Sequence, residues 1–174
     1  MPILPPRYSQ YLDIKDKHWR ANACGIVVLK TLFDYWGGRK DSLSALIRDG
    51  VRRDAYSARR GGWIHAGLVE LARSRGFSAR AADYASLSFE RAFSALRRDL
   101  KKGPLIVSVR KDFRPAAGGH LIVLFAVRGN RIFYNEPASR TRRGIRRSAG
   151  QKTFAQGWKQ RYIVVRPAKR IPKR

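Results

Sequence analysis

The sequence of 174 residues contains a single cysteine, Cys24, and only 12 acidic residues against 38 lysines and arginines. One thiol excludes an internal disulfide and a zinc site built on paired cysteines. No apolar run approaches the roughly 20 residues that a membrane-spanning helix needs, so we predict no transmembrane segment. The first residues lack a basic segment followed by an apolar stretch, and without such a signal peptide the expected location is the cytoplasm.

The remaining composition is that of a folded protein. Hydrophobic residues make up 44% of the chain and aromatic residues 11%, which is enough to build a packed core despite the charge. We therefore expect a single domain over residues 1–165, which begins with an N-terminal arm at 1–14. A basic C-terminal tail is expected at 166–174.

The formal charge of +26 is unevenly distributed, because residues 137–174 contain 13 basic residues and no acidic one. Such a surface attracts nucleic acid, anionic lipid or an acidic protein without reading a sequence. The chain lacks the aromatic and zinc-finger motifs of dedicated nucleic-acid readers. Arginine outnumbers lysine 27 to 11, a bias that codon usage alone can produce. Nonspecific polyanion contact and an incidental basic surface are thus both open interpretations.

Hydrophobic periodicity changes along the chain from helical to strand-like. Asn22 is the expected N-cap of a first helix that ends at a double glycine, and further helices are predicted at about 42–49, 64–75 and 88–101. Short β-branched and aromatic runs follow, and these predict strands at 104–110, 120–127, 131–135 and 162–165. An arginine-rich segment at about 138–150 is predicted to be flexible. Helices before strands indicate an α+β fold, with N-terminal helices packed on a C-terminal antiparallel sheet.

Cys24 falls in the first turn of the first predicted helix, where unpaired amides and the helix dipole stabilise a thiolate. A nucleophilic cysteine needs a base, and His120 opens a predicted strand directly after two glycines that leave its ring accessible. The other histidines are less suitable, because His18 precedes the first helix and His65 lies inside an amphipathic one. The alternative is that Cys24 is a buried apolar side chain.

The residue that orients His120 is expected at the end of the next strand, where Asn135 and Glu136 are neighbours. A three-residue loop at 128–130 would place Glu136 opposite Ile122, on the face that carries His120, and would turn Asn135 away. A two-residue turn would put Asn135 on that face, but about 13 Å along the strand from His120. Glu136 is therefore the predicted third member, with Asn135 in reserve, unless Glu136 only pairs with a nearby arginine.

The order of these motifs resembles that of the papain-like cysteine peptidases that include the bacteriocin-processing, double-glycine leader peptidases. The resemblance covers roughly residues 15–165 and rests on the segments NACG, GWIHAGL, KKGPLIVSV, GGHLIVLFAV and IFYNEP. It implies a papain-like fold in a free-standing form, and it assigns the nucleophile, the base and the orienting residue to Cys24, His120 and Glu136. Neither a metal nor an organic cofactor is needed for this chemistry.

Two positions depart from the pattern of that family. The family has an aspartate before the proline of the last motif, and here Glu136 is one methylene longer. The family also has a glutamine six residues before the nucleophile, and here that position is His18. The resemblance then implies that the side chain of His18 and the backbone amide of Cys24 donate to the oxyanion.

These observations predict a cysteine peptidase that cleaves an amide bond of a peptide or protein substrate through a Cys-His-Glu triad. The alternative is a catalytically silent papain-like binding module, whose basic surface captures an acidic peptide, a nucleic acid or a membrane face. A third interpretation is a nucleic-acid binder that only shares the fold.

Overall fold

A computed structural model describes residues 4–38, 40–60 and 62–168 of the chain. The α-helices in this part are, in chain order, α1 (Gln10–Asp13), α2 (Lys17–Asn22), α3 (Cys24–Tyr35), α4 (Leu43–Arg52), α5 (His65–Arg73), α6 (Phe89–Leu100), α7 (Arg142–Ile145) and α8 (Gln151–Gly157). The strands are β1 (Tyr56–Ser57), β2 (Gly62–Trp63), β3 (Phe77–Asp83), β4 (Leu105–Arg110), β5 (Gly119–Arg128), β6 (Arg131–Asn135), β7 (Arg146–Gly150) and β8 (Trp158–Pro167). None of the helices in these ranges is long and apolar enough to cross a membrane.

A six-stranded sheet organises the fold, in the order β3-β8-β4-β5-β6-β7, and every neighbouring pair is antiparallel. The strands β1 and β2 form a separate small hairpin. The four predicted strands correspond to β4, β5, β6 and the end of β8. The predicted α+β class with an antiparallel sheet is therefore confirmed.

Helices cover both faces of this sheet, and each face has its own apolar core. Leu121 and Val123 of β5 pack with α3, α4 and α5 on one face. Ile122 and Leu124 point the other way and pack with α6 and with Phe154 of α8. This alternation follows from the two-residue period of a strand. The helices are thus not all N-terminal to the sheet, because α8 follows five of the large sheet's six strands.

The arginine-rich segment at 138–150 is ordered, in contrast to the sequence-based prediction of flexibility. It contains α7 and β7, and β7 pairs with β6 over its whole length. The guanidinium of Arg142 donates to the carboxylate of Asp13 and to the carbonyl oxygen of Arg7, and Arg146 donates to the carbonyl oxygen of Pro5. These arginines order the segment because their charges have partners within the protein.

The last strand extends to Pro167, two residues beyond the predicted end of the domain at 165, and so includes the first two residues of the predicted tail. Arg166 holds this strand to the C-terminal end of α6. Its guanidinium donates to four carbonyl oxygens, those of Pro104, Val165, Asp99 and Gly103, at 2.9, 2.8, 2.9 and 3.1 Å. One of these carbonyls, that of Asp99, lies in the last turn of α6, where helix carbonyls lack α-helical partners, and two lie in the segment that follows the helix. The rest of the predicted tail, 169–174, lies outside the described residues.

We expect Arg166→Ala to lower the free energy of unfolding by about 2 to 4 kcal/mol, because several half-buried carbonyl groups lose a charged donor. Chemical denaturation monitored by circular dichroism measures this change. The matched control is Arg48→Ala on the exposed side of α4, for which we expect a change within about 0.5 kcal/mol. Equal effects of the two substitutions would contradict a capping role for Arg166.

Candidate active site

Cys24 is the first residue of α3, and no side chain caps this helix. Ala23 occupies the N-cap position and makes no side-chain hydrogen bond. The prediction that Asn22 is the N-cap is wrong, because Asn22 ends α2 and its Nδ2 donates to the carbonyl oxygen of His18 at 2.9 Å. The free amides of the first turn therefore lie beside the thiol without a competing side-chain acceptor.

The glycine after Cys24 is required by the packing of Trp63. A Cβ on Gly25 would lie 2.5 Å from Cγ of Trp63, closer than two carbon atoms can approach. The indole Nε1 of Trp63 also donates to the carbonyl oxygen of Asn22 at 2.7 Å. The indole of β2 thus packs directly against the first turn of α3 and fixes the place of the thiol.

His120 and Glu136 form a buried, hydrogen-bonded pair. Nε2 of His120 lies 2.6 Å from Oε1 of Glu136, and the residues are 7% and 5% exposed. The same carboxylate oxygen accepts from the backbone amide of Ala138 at 2.7 Å. Because Nε2 is engaged by Glu136, the other ring nitrogen, Nδ1, is left for Cys24. Cys24 lines the same cleft as His120 and interacts with its ring.

The register that brings Glu136 to His120 has a different origin from the one we expected. Arg128 pairs with Arg131, so the turn has two residues, and the predicted three-residue loop is wrong. The pairing then shifts between Leu124 and Ala126, which leaves one extra residue in β5 as a bulge. Because of this extra residue, the end of β6 has the side-chain orientation that the three-residue loop would have given. Asn135 pairs with Val123 and points away from His120, and the following residue, Glu136, reaches His120.

The charges of His120 and Glu136 stabilise one another. Burial lowers the pKa of His120, but the hydrogen bonds with Cys24 and Glu136 outweigh it and raise that pKa to about 10. For Glu136, burial raises the pKa, yet the hydrogen bond and the charge of His120 bring it below the usual value. Both shifts favour an imidazolium paired with the carboxylate of Glu136 at neutral pH.

The structure does not bring the other two candidates, His18 and Asn135, to this pair. His18 is exposed on α2, stacks edge-on against Trp19 with ring centroids 5.0 Å apart, and does not line the cleft. Helix α2 turns this side chain outward, so the counted spacing of six residues does not translate into proximity. Asn135 is buried on the far side of β6, where its Nδ2 donates to the carbonyl oxygen of Pro6 at 2.8 Å.

Gln10 lines the cleft instead, a residue that the sequence motifs do not reveal. Its backbone amide donates to the carbonyl oxygen of Pro137 at 2.8 Å, and its Nε2 donates to that of Arg20 at 2.7 Å. Gln10 is 3% exposed, and its second amide hydrogen has no protein acceptor among the described residues. The signal in the sequence was a glutamine upstream of Cys24, but α2 lies between the two and lengthens the spacing.

A cleft of about 280 Å³ opens above Cys24 and His120. His65, which we expected inside a helix, is the first residue of α5 and lines this cleft. Burial lowers the pKa of His65, and the nearby positive charges of Arg161 and Lys159 lower it further. Within the described ranges, no group of three or more histidine, cysteine or acidic side chains is arranged to hold a metal ion.

Comparisons with known proteins find a matching family model and solved structures of the same fold. The family model described as the Peptidase_C39 like family matches residues 5–164. The peptidase domain of Streptococcus ComA, a bifunctional ABC transporter involved in quorum sensing, is similar with a TM-score of 0.59 and 21% identity over 85% of this chain and 93% of that domain. No curated protein matches the sequence.

Two further solved structures share the fold. A double-glycine-motif protease from an AMS/PCAT transporter, in complex with the leader peptide, has a TM-score of 0.62 and 16% identity over 95% of this chain and 93% of that one. A protein assigned as a C39-like peptidase from Bacillus anthracis has a TM-score of 0.66 and 15% identity over 94% of this chain and 96% of that one. The papain-like fold suggested by the sequence motifs is thereby confirmed.

We expect Glu136→Gln to lower the pKa of His120 by about 2 units, because the imidazolium loses a buried negative partner. Nitrogen-15 NMR of the histidine side chains measures this shift. In the unchanged protein the raised pKa stabilises the fold fully below about pH 6.5, and this contribution is lost as the pH rises toward 10.

The control for this measurement is Glu70→Gln, which removes an exposed carboxylate on α5 and leaves the titration of His120 unchanged. A wild-type His120 that titrates near pH 6.5, or a titration that is identical in Glu136→Gln, would contradict the charged pair.

Proposed function

Because the chain belongs to the Peptidase_C39 like family, we propose that it is a cysteine peptidase in which Cys24, His120 and Glu136 form the catalytic triad. The observation that carries this proposal is the buried hydrogen bond between His120 and Glu136 beside the thiol at the start of α3. The peptide-bound structure of the double-glycine-motif protease supports a peptide substrate.

In the proposed reaction the thiolate of Cys24 attacks the carbonyl carbon of an amide bond and forms a tetrahedral intermediate. His120 gives the proton on Nδ1 to the leaving nitrogen as the carbon–nitrogen bond breaks, which leaves a thioester on Cys24. Water then attacks the thioester and transfers a proton to Nδ1, so the acid is released and the thiolate–imidazolium pair is restored. Glu136 holds the ring by Nε2 throughout.

The negative oxygen of the intermediate needs donors that are already in position. We assign this role to the backbone amide of Cys24 and to Nε2 of Gln10, in place of His18. The carboxamide of Gln10 is fixed by its bond to Arg20, and one of its hydrogens remains for a ligand in the cleft. In this proposal Gln10 takes the role of the glutamine that the family has six residues before the nucleophile. It lies farther upstream in the sequence because the short helix α2 is placed between Gln10 and Cys24.

The thiol–imidazolium pair predicts how Cys24 reacts with iodoacetamide. We expect iodoacetamide to alkylate Cys24 of the folded protein at pH 6 much faster than Cys24 of His120→Ala, which lacks the cation that stabilises a thiolate. Mass spectrometry of the intact protein follows the reaction, since Cys24 is the only cysteine.

His18→Ala is the matched control, because this exposed histidine lies outside the cleft, and it leaves the alkylation profile unchanged. If Cys24 reacts only after unfolding, the peptidase proposal is wrong. The catalytically silent binding module would then be the better interpretation.

Gln10→Ala is expected to lower kcat about 100-fold for any peptide that the unchanged protein cleaves, because the oxyanion loses one donor. Alkylation of Cys24 at pH 6 should stay the same, since the hydrogen bonds of Gln10 in the described part of the chain go to Arg20 and Pro137 and not to Cys24 or His120. Turnover of a fluorogenic peptide gives kcat, and a thermal melt shows that the variant is folded. The control Gln156→Ala removes an exposed amide on α8, and an equal loss there would refute the assignment.

A further inference from the structure

The last strand bulges next to the cleft, and the mechanism above does not use this feature. The pairing of β8 with β4 slips between Ser108 and Val109, so that Lys159 and Gln160 leave the regular ladder. Gln160 has a left-handed backbone with φ of 54°, a conformation that residues with a side chain rarely adopt.

Neighbouring backbone groups hold this bulge in place. Nε2 of Gln160 donates to the carbonyl oxygens of Tyr84 and Leu87, both at 2.9 Å, and the carbonyl oxygen of Gln160 accepts from the amide of Tyr84 at 2.9 Å. Strained backbone that is held in this way is concentrated at functional sites. Its consequence here is that the half-buried Lys159 lines the cleft together with Cys24.

Lys159 brings an unneutralised positive charge into the cleft. Its Nζ lies 3.5 Å from the place that a Cβ would take on Gly119, the residue before His120. In the described part of the chain no carboxylate pairs with Lys159, and no residue that lines the cleft is acidic. Asp83, whose charge acts on the neighbouring His65, already pairs with Arg161 at 2.8 Å.

We propose that Lys159, with His65 beside it, forms a subsite for an acidic side chain of the substrate. The preferred peptides then carry aspartate or glutamate within reach of the scissile bond, a conclusion that rests on the proposed peptidase function. A bound carboxylate pairs with the ammonium of Lys159 and favours protonation of His65, which then donates a second charged hydrogen bond. The amide analogues asparagine and glutamine lack this charge and are discriminated against.

Two small reagents that differ by one charge test the subsite without a known substrate. Iodoacetate carries a carboxylate next to the carbon that Cys24 attacks, and iodoacetamide carries a neutral amide there. We expect the rate of alkylation by iodoacetate, divided by the rate of alkylation by iodoacetamide, to fall about fivefold in Lys159→Gln. The reason is that the anionic reagent loses an attractive cation within the cleft. Lys159→Arg keeps the charge and should keep the ratio.

The control Lys152→Gln removes the same charge from an exposed position on α8, and its ratio should match that of the unchanged protein. This comparison separates the local subsite from the general attraction of a protein with a charge of +26. An equal fall in Lys152→Gln and Lys159→Gln, or no fall in Lys159→Gln, would overturn the subsite. If the thiol of the folded protein reacts with neither reagent, the peptidase proposal fails and the subsite fails with it.

Digestion of a pooled peptide library extends the test to turnover. We expect acidic residues within about three positions of the cleaved bonds to be enriched in the unchanged protein, and Lys159→Gln to lose this enrichment. Mass spectrometry of the products identifies the cleaved bonds. Cleavage without acidic enrichment would refute the subsite and leave the peptidase proposal intact, so the two failures are distinguishable.

Discussion

A buried carboxylate needs a partner, and the pairing of Glu136 with His120 is the interaction on which the site depends. An isolated charge at this depth would cost several kcal/mol, whereas two opposite charges with a short hydrogen bond stabilise one another. The pair forms because one additional residue in β5 sets the register of β6. A shift by a single residue would turn Glu136 away from His120 and leave both groups without a partner.

Part of the basic charge has a structural role. Arg75 joins Asp41 and Asp49, Arg142 binds Asp13, and Arg166 caps α6. These guanidinium groups already have carboxylate or carbonyl acceptors within the protein, although the side chain of Arg142 stays 54% exposed. Contact with nucleic acid or anionic lipid therefore stays a prediction for the remaining exposed basic residues. The proposed role of Lys159 is different, because its ammonium would attract an acidic side chain of the substrate only within the cleft.

The sequence predicted the elements that carry the chemistry because their signals are local. The apolar stripe and the double glycine defined α3, and the β-branched run after His120 defined β5. The bulge in β5 has no local signal, so the predicted three-residue loop was wrong although the expected side of Glu136 agrees with the geometry. Strand β3 was missed because its alternating alanine, serine and arginine residues have little intrinsic preference for a strand.

Contacts between distant parts of the chain could not be predicted from spacing. His18 lies six residues before Cys24, as the family pattern requires, but α2 turns its side chain away from the cleft. Gln10 reaches the cleft from farther upstream in the sequence. Likewise, Lys159 enters the cleft only because β8 bulges beside β4. Side chains that enter a site from an irregular segment depend on the whole fold, so a periodic pattern does not reveal them.

The N-terminal arm is part of the site and links its two halves. The backbone amide of Gln10 donates to the carbonyl oxygen of Pro137. The hydroxyl of Ser9 donates to the backbone carbonyl oxygen of Ser139 at 2.5 Å. The same loop supplies the amide of Ala138 to the carboxylate of Glu136. Because one loop orients both the proposed oxyanion donor and the partner of His120, a displacement of the arm would disturb the charge pair and the oxyanion donor together.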